Sequence, residues 1–169
     1  YNKGGGILHM LRNYLGDDAF FAGLSDYLKT NEYGTGEAHQ LRLSLEKVSG
    51  KDLNWFFNQW YFHAGHPILK VSYDYNDTTQ QLKVIVTQSQ TDSTYNYRVA
   101  LKTMVAYGNN KTIETWDINR KTQTYKYPYI NGQKPLIIPD FNHVLPGEVK
   151  ESKKHEQWLH QYIVSQDIV

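Results

Sequence analysis

The sequence predicts an α+β chain: a small all-α subdomain of about four helices, then an antiparallel β-sandwich, then a C-terminal helix. Two observations carry this. Apolar residues recur at helical spacing as far as residue 66 and alternate from Pro67 onward. The stretch from Asp52 to Val71 contains the switch itself. Leu53, Phe56, Phe57 and Trp60 fall at i, i+3, i+4 and i+7, one face of a helix; Gly65 permits a left-handed stop and Pro67 forbids continuation. Leu69, Val71, Tyr73 and Tyr75 then alternate with Lys70, Ser72 and Asp74, as in a half-buried strand. The expected units are therefore 1–66, 67–150 and 151–169.

Taken in order, the first helix carries Ile7, Leu8, Leu11, Tyr14 and Leu15, with Gly16 where a C-terminal cap belongs. Gly4-Gly5-Gly6 invites a phosphate-loop reading, but no strand precedes it and no Lys-Ser or Lys-Thr follows. The run is expected instead to let this helix start approach another backbone closely. Asp17 or Asp18 can cap a second helix, whose stripe of Phe20, Phe21, Leu24, Tyr27 and Leu28 is expected in the core. Thr35 or Gly36 can cap a third, with Ala38, Leu41, Leu45 and Val48 inside and Ser49-Gly50 at its end; Glu37, Gln40, Arg42, Glu46 and Lys47 form its solvated face. In the fourth helix, Trp55 and Tyr61 widen the apolar face nearly all round, so burial on several sides is expected.

Beyond Pro67, Leu82, Val84 and Val86 make a second strand after the Asn76-Asp77-Thr78-Thr79 turn. Tyr97 to Val105, Lys111 to Asp117 and Thr122 to Tyr127 alternate likewise. Asn131-Gly132 marks a tight turn before Leu136-Ile137-Ile138, whose flanking prolines suit an edge. About six or seven short antiparallel strands, regularly punctuated, point to a small sandwich. From Ser152 the pattern returns to a helix with Trp158, Leu159, Tyr162 and Ile163 on one face.

Composition excludes more than it assigns. A formal net charge of +1, with basic and acidic residues interspersed, offers no nucleic-acid surface. No stretch approaches a membrane span. The absence of cysteine removes disulfides and thiolate metal sites and leaves the compartment unread. No targeting leader is visible at the start. His63 and His66 lie three apart, but Gly65 and Pro67 break any helix that could aim both at one metal, so a structural turn is expected and no metal ligand is assigned. The aromatic residues of the strands are expected to fill cores and cross-strand pairs rather than to form a sugar- or base-stacking platform.

Taken jointly, Tyr1-x-Lys3-Gly4, Leu8-His9-Met10-Leu11, Leu15-Gly16, Phe20 or Phe21, Leu45-Glu-Lys-Val-Ser-Gly50, Asp52-Leu53, Phe56-Phe57, Trp60 and Gly65-His66-Pro67 resemble the zinc aminopeptidases of the aminopeptidase N and leukotriene hydrolase family. The order and spacing match together over roughly the first seventy residues. The resemblance implies that 1–66 is the C-terminal helical part of a thermolysin-like catalytic domain, 67–150 the β-sandwich that follows it, and 151–169 the start of a helical C-terminal domain. It implies a parent enzyme that removes N-terminal residues from peptides, with a metal-bound water activated by a glutamate. It also implies that Tyr1 donates its hydroxyl to the oxyanion that develops on the substrate. The sequence contains no His-Glu-x-x-His and no Gly-x-Met-Glu-Asn. In the family these precede the tyrosine, so zinc belongs to the parent protein, none is expected on this segment, and the segment alone is expected to be inactive. The other reading open at this point is a non-catalytic sandwich that binds a peptide or glycan, with the helices as its support.

Overall fold

The computed structural model describes residues 2–91 and 95–166, and the chain divides between Gly65 and His66 into two compact units. The first is all helical: α1 (Asn2–Leu15), α2 (Asp17–Thr30), α3 (Ala38–Ser49) and α4 (Asn54–Phe57), the last running directly into a π-helical turn over Asn58–Phe62. Its core is Ile7, Leu11, Phe20, Leu45, Leu53, Phe56, Phe57 and Trp60, all buried. The four residues that announce the fourth helix are therefore its inward face, even though the backbone widens beneath them.

Several expectations about ends and faces need correction. Gly16, at φ +86°, does close α1, donating its amide to the Arg12 carbonyl at 2.8 Å, but it also occupies the N-cap position of α2. Asp17 is consequently the first helical residue rather than a cap. Its carboxylate accepts from the Arg12 Nε at 2.8 Å and Nη2 at 2.6 Å, which holds its pKa below the ordinary carboxylate value. The third helix is capped by Glu37, not Thr35 or Gly36, through a capping box in which the Glu37 amide donates to Gln40 Oε1 at 2.6 Å. Phe21, Leu28 and Val48 are exposed, as are Tyr61 and Phe62, so the apolar stripes are wider than the core they serve. The Arg42–Glu46 pair is not merely solvated surface: Glu46 Oε1 accepts the Leu53 amide at 2.8 Å and ties the end of α3 to the start of α4.

Helices α2 and α3 meet at Gly23. A Cβ there would lie 2.6 Å from Leu45 Cδ2 and 3.1 Å from Leu45 Cα, so contact between the two helices depends on glycine. Gly23→Ala is expected to destabilise the helical unit by about 2 kcal/mol through overpacking, despite alanine's better helix propensity. A thermal midpoint equal to or above that of the natural protein would show that the helices part without penalty.

The second unit contains β1 (Ile68–Asn76), β2 (Gln81–Gln88), β3 (Val99–Tyr107), β4 (Asn110–Ile118), β5 (Thr122–Pro128), β6 (Leu136–Pro139), β7 (Glu148–Glu151) and α5 (His155–Gln166). One sheet has the order β5-β2-β1-β7 and the other β4-β3-β6. All pairings are antiparallel except β1 with β7, a parallel pair that sequence alternation does not reveal. Register in the β1–β2 hairpin sets Val71 opposite Val86 and Tyr73 opposite Val84. Leu69, Val71, Leu82, Val84 and Val86 of one sheet are buried, as are Val99, Leu101, Val105, Trp116 and Ile118 of the other. Asn131 and Gly132, at φ +50° and +73°, form the tight turn their residue types predict, and β6 is an edge strand.

Alternation fails in β3 after Thr103: Met104, Val105 and Ala106 are buried in succession. The reason is α5. Val164 joins Met104, Ala106, Leu136 and Ile138 in one apolar cluster, so part of this sheet is covered on both faces. The α5 residues placed on one apolar face, Trp158, Leu159, Tyr162 and Ile163, are each 43% to 65% accessible.

Candidate active site

Tyr1, the residue assigned an oxyanion role, lies outside the described residues. What the structure does describe is the element that begins one residue later. The first turn of α1 contains Lys3, Gly4 and Gly5 and has no acidic residue. Lys3 Nζ donates to the carbonyl oxygen of His63 at 3.0 Å and to that of Gly65 at 3.3 Å. Two motifs sixty residues apart in sequence, Tyr1-x-Lys3-Gly4 and Gly65-His66-Pro67, are thereby joined through the lysine of the first and the glycine of the second. Nothing in the amino-acid pattern signals this bond, since its acceptors are backbone atoms. Gly4 and Gly5 have open space where a Cβ would stand, so the expected close approach of another backbone to this helix start is absent among the described residues.

Behind this start the helix is anchored by packing. Tyr14 near the end of α1 stacks on Phe56 at 6.4 Å and meets Trp55 edge-on at 5.9 Å. Phe56 in turn contacts Trp55, Phe57 and Trp60 at centroid separations of 5.6, 6.2 and 6.4 Å. Lys51 Nζ donates to the Tyr14 carbonyl at 3.0 Å while lying 4.6 Å from the Tyr14 ring centre. The π-helical turn ends in a bond from the His63 amide to the Asn58 carbonyl at 3.0 Å, five residues back, and Gly65 follows at φ +87°. This local unwinding turns the His63 and Gly65 carbonyls toward one ammonium.

The histidines have other occupations. His66 Nε2 lies 3.1 Å from Glu148 Oε1, His9 interacts with Asn13, and His39 Nδ1 lies 3.2 Å from Arg42. Among the described residues no group of three or more His, Asp or Glu could hold a metal, and no catalytic step is derived through one. No helix among the described residues is long and apolar enough to cross a membrane.

Residues 1–60 match the Peptidase family M1 domain. Tricorn protease-interacting factor F2 of Thermoplasma volcanium is 42% identical over 76 residues, covering 45% of this chain and 10% of that protein. Aminopeptidase 2, mitochondrial, of Saccharomyces cerevisiae is 34% identical over 130 residues, covering 69% of this chain and 14% of that protein. The crystal structure of Legionella pneumophila aminopeptidase A in complex with aspartic acid matches 94% of this chain and 18% of its own at a TM-score of 0.75; at 18% identity that likeness concerns the fold. The chain is a segment of a peptidase family M1 protein, and it spans under a fifth of the length of each of these three.

Proposed function

We propose that the protein containing this segment is a zinc-dependent aminopeptidase that hydrolyses N-terminal residues from peptides, and that Tyr1 stabilises the oxyanion formed at the scissile carbonyl. The observation that carries this reading is the joint order of motifs from Tyr1 to Pro67, matched over 1–60 by the Peptidase family M1 domain. In this reading, zinc and its glutamate base belong to polypeptide preceding residue 1, and a helical domain continues from residue 151. The side chains of Leu8, Phe21, Leu28, Tyr33, Leu43, Val48, Tyr61 and Phe62 on the helical unit are exposed, the apolar surface expected of a unit that packs against more protein. A phenol suits the proposed role because it is a neutral donor near pH 7 on a stiff ring.

Tyr1→Phe in the full-length protein removes that donor and little else. Turnover of an aminoacyl anilide is expected to fall about a hundredfold, the equivalent of about 3 kcal/mol of barrier, while KM changes little. An unchanged kcat would reject the role. The reading of the sandwich as a sugar- or base-stacking platform loses its main support, because Tyr97, Trp116 and Tyr127 are buried in the sandwich rather than displayed.

A further inference from the structure

We propose that Asn131 is a site of spontaneous backbone modification: the amide nitrogen of Gly132 attacks the Asn131 side-chain carbonyl carbon, and the isoaspartate that results opens the turn between Ile130 and Gln133. Neither residue takes part in the catalytic reading above.

The reaction needs a side-chain amide carbon, a backbone nitrogen one residue on that nothing screens, and a chain loose enough for the two to meet. Asn131-Gly132 is the one Asn-Gly step in the sequence; after every other asparagine comes a residue whose Cβ crowds its own nitrogen. Both Asn131 and Gly132 are exposed, and a Cβ built on Gly132 would meet nothing within 4 Å. In a two-residue turn the hydrogen bonds run between the flanking residues. Here the Gln133 amide donates to the Ile130 carbonyl at 2.9 Å and the Ile130 amide to the Gln133 carbonyl at 3.2 Å, so neither bond holds the Gly132 nitrogen.

A rigid turn would keep nitrogen and carbon apart, but no ladder locks this one. Ile130 and Gln133 form an isolated bridge outside the named strands, Ile130 is 46% exposed, and residues 131–134 are exposed with it. The turn at Gly108-Asn109, by contrast, closes a β3–β4 ladder that runs from Tyr107 and Asn110 to Val99 and Ile118. The feet of the Asn131 loop are pinned, since Tyr129 donates its hydroxyl to Asp77 Oδ1 at 2.9 Å and Lys134 Nζ donates to Oδ2 at 3.0 Å. Its tip therefore opens by local motion while the strands stay folded.

In the step, the Gly132 nitrogen gives up its proton and bonds to Asn131 Cγ, the Cγ–Nδ2 bond breaks, and ammonia leaves. Water then opens the five-membered succinimide. Opening at Cγ gives aspartate; opening at the Asn131 main-chain carbonyl leaves the chain running through Cγ, as isoaspartate, with one more methylene in the backbone. That methylene falls between Ile130 and Gln133, whose paired bonds depend on a loop of fixed length.

The test is to age the full-length protein, folded, at mildly alkaline pH, and to map its peptides by mass spectrometry, with isoaspartate reported by methyl transfer from a protein-isoaspartate methyltransferase. Conversion at Asn131 should run about tenfold ahead of that at Asn109, Asn110 and Asn119, the rate equivalent of the conformational freedom that glycine adds. Asn131→Gln, which would have to close a larger ring, should abolish the isoaspartate signal. Should Asn131→Gln not fold, Gly132→Ala restores the crowding Cβ and should lower the rate at Asn131 to that of the other asparagines. In the aged protein the Ile130 and Gln133 amides should lose hydrogen-exchange protection, whereas freshly prepared Asn131→Asp, which adds the charge without the methylene, should keep it. Conversion at Asn131 no faster than elsewhere, or only in protein aged unfolded in denaturant, overturns the proposal. Protection that survives with isoaspartate in place, or that Asn131→Asp loses equally, overturns the opening of the turn by a lengthened backbone.

Discussion

Replacing Lys153 by methionine is expected to cost the β unit about 4 kcal/mol, because it strands a buried carboxylate. The Lys153 side chain is 1% exposed and that of Glu151 9%, with Nζ 2.5 Å from Glu151 Oε2. Nζ also donates to Gln161 Oε1 at 2.5 Å and lies 5.3 Å and 5.1 Å from the ring centres of Tyr73 and Trp158. Tyr73 donates its hydroxyl to the same Glu151 carboxylate. Burial, and then the Glu151 charge, push the Tyr73 phenol far above its ordinary pKa, so it stays a donor; burial likewise pushes the Lys153 ammonium down while Glu151 opposes it. Methionine fills the space and returns no charge, leaving Glu151 with a phenol alone.

Because the two units need not unfold together, the readout for Lys153→Met is local. Hydrogen exchange of amides that join β7 to β1, such as Ser152 to the Val71 carbonyl and Glu148 to the Pro67 carbonyl, should accelerate, while the β3–β4 ladder changes less. The double variant Lys153→Met/Glu151→Leu removes both charges and should recover most of the loss, since an apolar pair of similar volume is commonly tolerated. Equal damage in single and double variants would mean that packing, not charge, sets the cost.

That same cluster marks where the sequence stops being legible. Hydrophobic alternation finds the paired strands β1 to β5 because each buries one face against the other sheet, and Leu53, Phe56, Phe57 and Trp60 reveal α4 because their spacing matches the helix. Strand β7 reads Glu-Val-Lys-Glu, polar at three of its four positions, and its Glu151 is buried only because Lys153, two residues on, and Tyr73, seventy-eight residues earlier, neutralise it. Pattern cannot show such a partner. The π-helical turn is hidden for a related reason: one additional residue per turn shifts the carbonyls without disturbing the apolar spacing across Phe56, Phe57 and Trp60. At the candidate site, the motif residues could be read from the sequence, whereas the bond joining Lys3 to the His63 and Gly65 carbonyls could not, since any residue type supplies a carbonyl. The caps failed at Asp17 and Thr35 because a left-handed Gly16 and the Glu37–Gln40 box each satisfied the helix start by another route.

Phe56→Ala is expected to destabilise the helical unit by about 4 kcal/mol, the usual cost of emptying a large aromatic site that cannot collapse. Phe56 is 2% exposed and contacts Tyr14, Trp55, Phe57 and Trp60, so its ring is the shared neighbour of α1, α4 and the π-helical turn. Tyr61, on the same stretch, is 53% exposed, and Tyr61→Ala should cost no more than about 0.5 kcal/mol in this unit. The contrast separates packing from aromatic content, since both variants delete one ring from the same run. Because Tyr14 loses its stacking partner, amides of the last turn of α1 should lose protection in Phe56→Ala before those of α2 and α3 do. Equal costs for the two variants would mean that the ring cluster is solvated and does not anchor α1 on α4.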